Sequence, residues 1–472
     1  MELFKCLIYF SLLGIALGFV QQSVLESNFP RISLSTSSSS SSSTSSSSSR
    51  LFAGDDDSSQ TWMESLKARQ VELTKEQFFK EQKWRHADCS SGIRLALPDW
   101  VRRLDVEYPL VACGSAKGNI YVSNLETGKL VATNARSEDD EDDDDYQYRN
   151  AGYGNTPYGL DKALGLLYGK YDGGGTLAVA FADNLICEAP RKGSVDIWRV
   201  DASSKRLVSQ GTMQALDGYV VTCLELDEDY LWVGTANGHL HAYPLDASLP
   251  LALQKEPELE WKFSTAVLSF ALDSEIGCGV VTTANGGVEV ISLEDDTRPI
   301  CSFYPPMDPR PLDMRGREDE NAYALCSAIV SHPTKGSDEE NDTMSSAPNK
   351  YSVICGGSDG SLWMHELNLT EDGELNEEDP LAGNLRQLRP SHMGPIKCLA
   401  NPLPGLLVSA GLDGSMRVWD IEDGDSLYQF VGYKVWLGSL WTDGSRLVSD
   451  GSDNSVIMHD FDKPYSEDDG EL

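Results

Sequence analysis

The chain has 472 residues and a formal net charge of −36, with 74 acidic and 38 basic side chains. A surface this acidic repels a phosphate backbone, and the sequence contains no basic run, so we expect no nucleic-acid partner and instead a protein with a basic surface. The 10 cysteines lack the paired spacing of a metal site, and we expect free, buried thiols rather than a disulfide framework.

Residues 1–18 predict a signal peptide. Lys5 precedes an apolar run that is too short to cross a bilayer comfortably, and the small residues Ala16 and Gly18 have the spacing of a cleavage site. We therefore expect cleavage after Gly18 and no membrane span in the mature chain. A membrane anchor is the alternative interpretation.

Residues 19–54 predict a transit peptide or disordered leader. The stretch is rich in serine and nearly free of acids before Asp55, which is the composition of transit peptides. A signal peptide followed by Phe19 and a serine-rich leader resembles the bipartite presequence of algae with complex plastids. The resemblance implies import into a plastid; the alternative is secretion or residence in the endomembrane lumen.

Residues 55–88 predict a helical extension, which begins where the charge of the chain changes sign. The stretch from Thr74 to Gln77 has the form of a capping box for the second half of the helix. An incomplete apolar stripe is formed by Trp62, Leu66, Leu73, Phe78 and Trp84. We expect this helix to pack against the following domain, and docking of a partner is the alternative.

Residues 89–462 carry a repeated pattern in which a small residue and a tight turn precede an alternating strand. Two copies stand end to end as LLVSAGLDGSMRVWD and RLVSDGSDNSVIMHD. Alternation at period 2 predicts strands, and the turn residues tolerate the positive φ of a two-residue hairpin. The seven predicted turns end at Gly118, Gly193, Gly238, Gly286, Gly360, Gly414 and Asn454.

The strand ahead of these hairpins also repeats, with a small residue at its centre. These residues are Cys223, Ser269, Cys326, Cys398 and Gly438. Innermost strands that converge on a crowded axis require small side chains. Together with the Trp419-Asp420 dipeptide, the pattern resembles the WD-repeat family of β-propellers. The resemblance implies an all-β fold with seven four-stranded blades over roughly Leu95 to Phe461.

The last repeat, from Val435 to Phe461, supplies only three strands. A short alternating strand, GIRLALP, precedes the first repeat. A propeller avoids exposed sheet edges by closing its ring, and a blade that combines both ends of the chain achieves this. We therefore expect Ile93 to Leu97 to form the outer strand of the last blade.

Three acidic stretches interrupt the repeats, at 137–150, 336–350 and 370–380, and an acidic tail follows at 463–472. Adjacent acids repel one another and do not pack, so we expect the three stretches to be solvated, disordered loops. Capture of a basic partner or loose association of Ca²⁺ is the alternative for the first loop, which lacks the spacing of an EF-hand.

The sequence contains no recognisable catalytic or nucleotide-binding motif. His239 and His241 share one face of a predicted strand, and a metal pair there is conceivable, but such pairs are ordinarily structural. We therefore predict no catalytic, cofactor-binding or metal-binding residue, and no cofactor. A propeller enzyme with a metal or quinone at the mouth of its channel remains an alternative, because linear spacing does not test it.

These features together predict a non-catalytic scaffold for protein–protein interaction, rather than an enzyme, that supports complex assembly in a plastid. A substrate receptor of a ubiquitin ligase is a second alternative. The Trp-Asp-x-Arg pattern of those receptors is not met, because Ile421 and Glu422 follow Trp419-Asp420.

Overall fold

The structure is a computed structural model that describes part of the chain. The described residues are 56–135, 175–190, 193–213, 219–245, 251, 256–293, 298–308, 322–332, 350–370, 372–433, 437–451 and 454–463. The predicted signal and transit peptides, the first acidic loop, the second acidic loop up to residue 349 and the tail from residue 464 lie outside these residues. The chain divides into two compact units, Met1–Ser90 with Asp460–Leu472, and Ser91–His459.

The described part of the first unit is dominated by one helix, α1, which spans Asp56–His86. Near its end, the indole of Trp84 is fully buried and stacks on the ring of Phe461, with centroids 3.7 Å apart. Phe78 and Phe79 are exposed. Within the described residues, no helix has the length and apolar character needed to cross a bilayer.

The remaining secondary structure in the described residues consists of 28 strands. In chain order they are β1 (Ser90–Ala96), β2 (Val101–Glu107), β3 (Leu110–Ser115), β4 (Ile120–Asn124), β5 (Lys129–Thr133), β6 (Thr176–Ala182), β7 (Leu185–Pro190), β8 (Val195–Asp201), β9 (Arg206–Met213), β10 (Val221–Leu226), β11 (Tyr230–Thr235), β12 (His239–Pro244), β13 (Leu259–Lys262), β14 (Val267–Asp273), β15 (Cys278–Thr283), β16 (Val288–Ser292), β17 (Cys301–Phe303), β18 (Ala324–His332), β19 (Lys350–Gly357), β20 (Leu362–Leu367), β21 (Leu381–Leu388), β22 (Ile396–Ala400), β23 (Leu406–Gly411), β24 (Met416–Asp420), β25 (Asp425–Phe430), β26 (Leu440–Thr442), β27 (Arg446–Ser449) and β28 (Ser455–Asp460).

Across the described residues, these strands form five separate four-stranded sheets and one eight-stranded sheet. Four of the smaller sheets are built from consecutive strands, namely β10 to β13, β14 to β17, β18 to β21 and β22 to β25. The fifth has the order β1-β28-β27-β26. The fold is therefore all-β and propeller-like, as the sequence predicts.

The eight-stranded sheet, β2-β3-β4-β5-β9-β8-β7-β6, departs from the prediction of seven separate blades. Each half is an antiparallel set of four strands, and the halves meet where Thr133 of β5 and Arg206 of β9 form a single parallel pair. The structure thus separates five blades rather than seven, because the outer strands of two neighbouring sets join edge to edge.

The first strands of the successive sets contact one another in a closed cycle that runs through β2, β6, β10, β14, β18, β22 and β26 and returns to β2. The cycle closes at the sheet that combines both ends of the unit, in which β1 is the outer strand beside β28. The prediction that Ile93 to Leu97 supply this outer strand is confirmed. Leu95 packs in one core cluster with Leu104 of β2 and Val456 of β28.

The predicted loop at 370–380 differs from its expected disorder among the described residues. Leu375 is buried, and its N–H donates a hydrogen bond of 3.1 Å to the carbonyl of Ile276. The N–H of Asn376 donates to the carbonyl of Asn368 at 2.9 Å. One buried leucine anchors this segment although its composition is acidic.

The nine described cysteines are free thiols, as expected. Most are buried, and burial raises the pKa of several of these thiols, for example that of Cys187 to about 12. Thiols of this kind stay protonated at neutral pH and are poor nucleophiles.

Candidate functional site

Strand direction gathers two kinds of loop at one end of every four-stranded set. The first and third strands begin there and the second and fourth strands end there, because neighbouring strands are antiparallel. We call this end the connector face. It comprises the described parts of the set-to-set connections at 97–100, 263–266, 304–308, 389–395 and 431–433, and the turns at 116–119, 236–238, 284–287, 358–361 and 412–415.

Three large apolar side chains are exposed on consecutive connections of the connector face. They are Tyr304, Met393 and Val431, with exposed fractions of 59%, 82% and 53%. The other exposed large apolar side chains described in this unit lie on strands instead, at Ile93, Leu130 and Val208. The connector face is therefore the end of this unit at which the described loops expose large apolar side chains.

A buried hydrogen-bond network fixes the connection that carries Met393. The side chain of His392 is fully buried, with Nε2 2.7 Å from Ser409 Oγ and Nδ1 3.0 Å from Asp413 Oδ2. The indole N–H of Trp419 donates to Ser409 Oγ at 2.8 Å. The residue that precedes Met393 is therefore tied to two strands of the next sheet, β23 and β24.

Asp413 extends this network to the backbone of Met393 itself. Its Oδ2 accepts a hydrogen bond of 2.9 Å from the N–H of Met393, and its Oδ1 accepts one of 2.8 Å from the hydroxyl of Ser415. Burial alone would raise the pKa of Asp413, but the hydrogen bonds and charge of His392, with those from Met393 and Ser415, lower it below its ordinary value. A carboxylate ionised at neutral pH thus holds Met393 in place.

The turn at Gly360 supports the same connection from the other side. Gly360 has a φ of +82°, and its carbonyl accepts a hydrogen bond of 2.8 Å from the N–H of His392. A Cβ at this position would lie against the carbonyl oxygens of His392 and Gly394. Only glycine combines this backbone conformation with so close an approach.

The longest acidic run of the chain lies outside the described residues. Glu138 to Asp145 stands between β5, which ends at Thr133, and β6, which begins at Thr176. In the described part of the connector face, the carboxylates of Asp99 and Asp359 accept hydrogen bonds from backbone N–H groups. Asp99 accepts hydrogen bonds from the N–H groups of Trp100 and Lys117, and Asp359 from that of Asp308.

The sequence predicts no catalytic, cofactor or metal residue, but the structure adds a partner to the histidine pair. His239 and His241 are joined by Glu260, and all three offer ligand atoms within 4.8 Å of one another, the one such group among the described residues. The sequence pattern missed Glu260 because its position depends on strand register. Three other histidines, His332, His392 and His459, bind serine hydroxyls and are structural.

No protein-family model matches this chain, and no curated protein matches it. One solved structure that it resembles is described as the computationally designed Ika8 protein, with 17% sequence identity and a TM-score of 0.43. The match covers 78% of this chain and 99% of that chain. The fold described above therefore rests on the strand pairing of this chain alone.

Proposed function

We propose that this protein is a non-catalytic scaffold that binds a protein partner through the connector face. The observation that carries the proposal is Met393, which is almost fully exposed and yet held by the His392 and Asp413 network. An apolar side chain on a fixed backbone loses little conformational entropy when a partner covers it. Tyr304 and Val431 on the neighbouring connections extend the same surface.

We propose further that the eight-stranded sheet acts as two blades of a seven-bladed propeller of the WD-repeat type. Each of its halves has four antiparallel strands, and the first strands of all sets contact one another in a closed cycle. The seven sequence repeats and the Trp419-Asp420 dipeptide support the same assignment. A ring of this kind presents loops from every blade on one rigid surface.

The partner that we propose has a basic surface. The chain carries a net charge of −36, and the run from Glu138 to Asp145 stands in the sequence between β5 and β6. Opposite charges at the rim of an interface raise the association rate and make it sensitive to salt. Binding should therefore weaken as ionic strength rises.

The compartment that we propose is a plastid, on the composition of residues 1–54. A fluorescent protein fused to residues 1–60, and another fused to the full chain, should both accumulate in the plastid of an alga with a complex plastid. A reticular or secreted signal would contradict this compartment, and it would direct the partner search to the endomembrane system.

The scaffold proposal is tested by comparing two charge substitutions in affinity capture from plastid extract. Met393→Glu places a charge on the connector face, whereas Leu130→Glu places one on an exposed position of β5. We expect the wild type and Leu130→Glu to capture a partner protein that Met393→Glu does not capture. Identical captured proteins with all three would contradict the proposal.

A further inference from the structure

The register of β12 and β13 brings three potential metal ligands onto one face of their sheet. His239 and His241 are two residues apart on β12, so their side chains point to the same side. Glu260 of β13 lies directly opposite His241 in the ladder, and Lys262 lies opposite His239. The group is therefore built on paired strands rather than on a loop.

The three ligand atoms converge with spacings close to those of a zinc site. His241 Nε2 lies 3.3 Å from His239 Nδ1 and 3.4 Å from Glu260 Oε1. A tetrahedral ion with bonds of about 2.0–2.1 Å holds its ligands about 3.3–3.4 Å apart. The third spacing, from His239 Nδ1 to Glu260 Oε1, is a hydrogen bond of 2.6 Å. This pair must open when an ion replaces the shared proton.

The surroundings orient the two rings differently. His241 Nδ1 lies 3.3 Å from the hydroxyl of Tyr243, so donation of its proton to that oxygen leaves the Nε2 lone pair facing the other two ligands. The Nε2 atom of His239 is buried and has no hydrogen-bond partner among the described residues. The Nδ1 atom of His239 faces both Glu260 and His241, and it is the nitrogen of this ring that an ion would contact.

One side of the group is apolar and the other is open. Tyr243 packs in a core cluster with Val195, Ile197 and Met213 of the preceding strands. The side chains of His239 and His241 are mostly buried, while that of Glu260 is 50% exposed. An ion can therefore enter from the Glu260 side, and water can reach the remaining coordination position.

The charge on Glu260 suits a cation. It adds an anionic oxygen ligand to two imidazole nitrogens, and its Oε1 atom lies within 3.4 Å of both rings. Of the residues paired between β12 and β13, Lys262 is the one that carries a positive charge, and its side chain is exposed.

We propose that His239, His241 and Glu260 bind one Zn²⁺ ion through Nδ1, Nε2 and a carboxylate oxygen, with a solvent molecule as the fourth ligand. Two imidazoles and one carboxylate favour zinc over Mg²⁺ and Ca²⁺, which prefer sites made of oxygen atoms alone. Tyr243 is a positioning residue that orients the ring of His241. The site is independent of the connector-face proposal.

The test is a calorimetric titration of Zn²⁺ into the chelator-treated full chain, with excess Mg²⁺ present to occupy the acidic stretches. The wild type should bind one Zn²⁺ ion per chain. His241→Ala and Glu260→Gln should each abolish this binding. Tyr243→Phe should weaken binding by about tenfold or more. His365→Ala removes a histidine from the third strand of another sheet, β20, and should leave binding unchanged.

Glu260→Gln keeps the test valid if His241→Ala fails to fold, because the Glu260 side chain is half exposed. Co²⁺ provides a second readout, since tetrahedral coordination gives it a visible absorption band. Two outcomes would overturn the assignment. In the first, the wild type binds no Zn²⁺ in the presence of excess Mg²⁺. In the second, Glu260→Gln and His241→Ala bind Zn²⁺ as well as the wild type does.

Discussion

The backbone N–H of Leu97, just after β1, donates a hydrogen bond of 2.8 Å to the carbonyl of Asn454, just before β28. This bond joins the two ends of the strand-rich unit. It belongs to the sheet in which β1 is the outer strand, and the first strand of that sheet, β26, closes the cycle through its contacts with β22 and β2. The unit should therefore lose stability as a whole when β1 is weakened.

Two substitutions on β1 measure what this closure contributes. Leu95 is 4% exposed in a core cluster, whereas Ile93 on the same strand is 53% exposed. Leu95→Ala should lower the free energy of unfolding by about 2–5 kcal/mol, because it leaves a cavity. Ile93→Ala should change it by about 0.5 kcal/mol or less. Denaturant unfolding checks both, and equal small effects would contradict the role of β1.

Two glycines with positive φ allow backbone strain to be measured separately from close packing: Gly360 on the connector face, and Gly373 in the loop between β20 and β21. A Cβ at Gly360 would lie against the carbonyls of His392 and Gly394, whereas a Cβ at Gly373 would have no heavy atom within 4 Å. Gly373→Ala should cost about 1–2 kcal/mol of stability, from backbone strain alone. Gly360→Ala should cost about 1–3 kcal/mol more, because backbone atoms must move. Equal unfolding free energies for the two variants would show that the connection is loosely held.

His459 should make stability depend on pH. Its ring is buried, with both nitrogens 2.7 Å from hydroxyl oxygens, of Ser91 and Tyr433, and burial lowers the pKa of His459 to about 3. The unfolded chain binds this proton near pH 6.5 and the folded chain does not, so stability falls as pH drops below that value. Between pH 7 and pH 5 the group should contribute a loss of about 2 kcal/mol.

The control for this pH effect is His459→Asn, because other buried groups also titrate. The difference in unfolding free energy between the wild type and this variant should shrink by the same amount as pH falls from 7 to 5. A difference that stays constant over this range would show that His459 is protonated in the folded protein, contrary to its burial.

The sequence pattern predicted the strands and turns well, because both depend on local chemistry. All six predicted turn glycines, Gly118, Gly193, Gly238, Gly286, Gly360 and Gly414, have positive φ. The chain is closely packed around Cys223, one of the predicted small residues of the first strands. A Cβ at Gly234 of β11, which lies opposite Cys223 in the ladder, would meet its sulfur.

The features that were missed depend on contacts between distant residues. The pair of Thr133 and Arg206 that joins two sets of strands arises where β5 and β9 approach, and neither strand carries a local signal for it. Glu260 joins the histidines only through the register of β12 and β13. Leu375 is a single apolar residue in an acidic stretch, and it packs in one core cluster with Ile276, which is distant in sequence.

The most direct test of the proposed function is site-specific photo-crosslinking from the connector face. A photoreactive phenylalanine would replace Met393 in one protein and Leu130 in another, and both would be irradiated in plastid extract at low and high salt. We predict a discrete crosslinked partner from position 393 that high salt diminishes and that position 130 does not give. No product at position 393, or the same product from both positions, would contradict binding through this face.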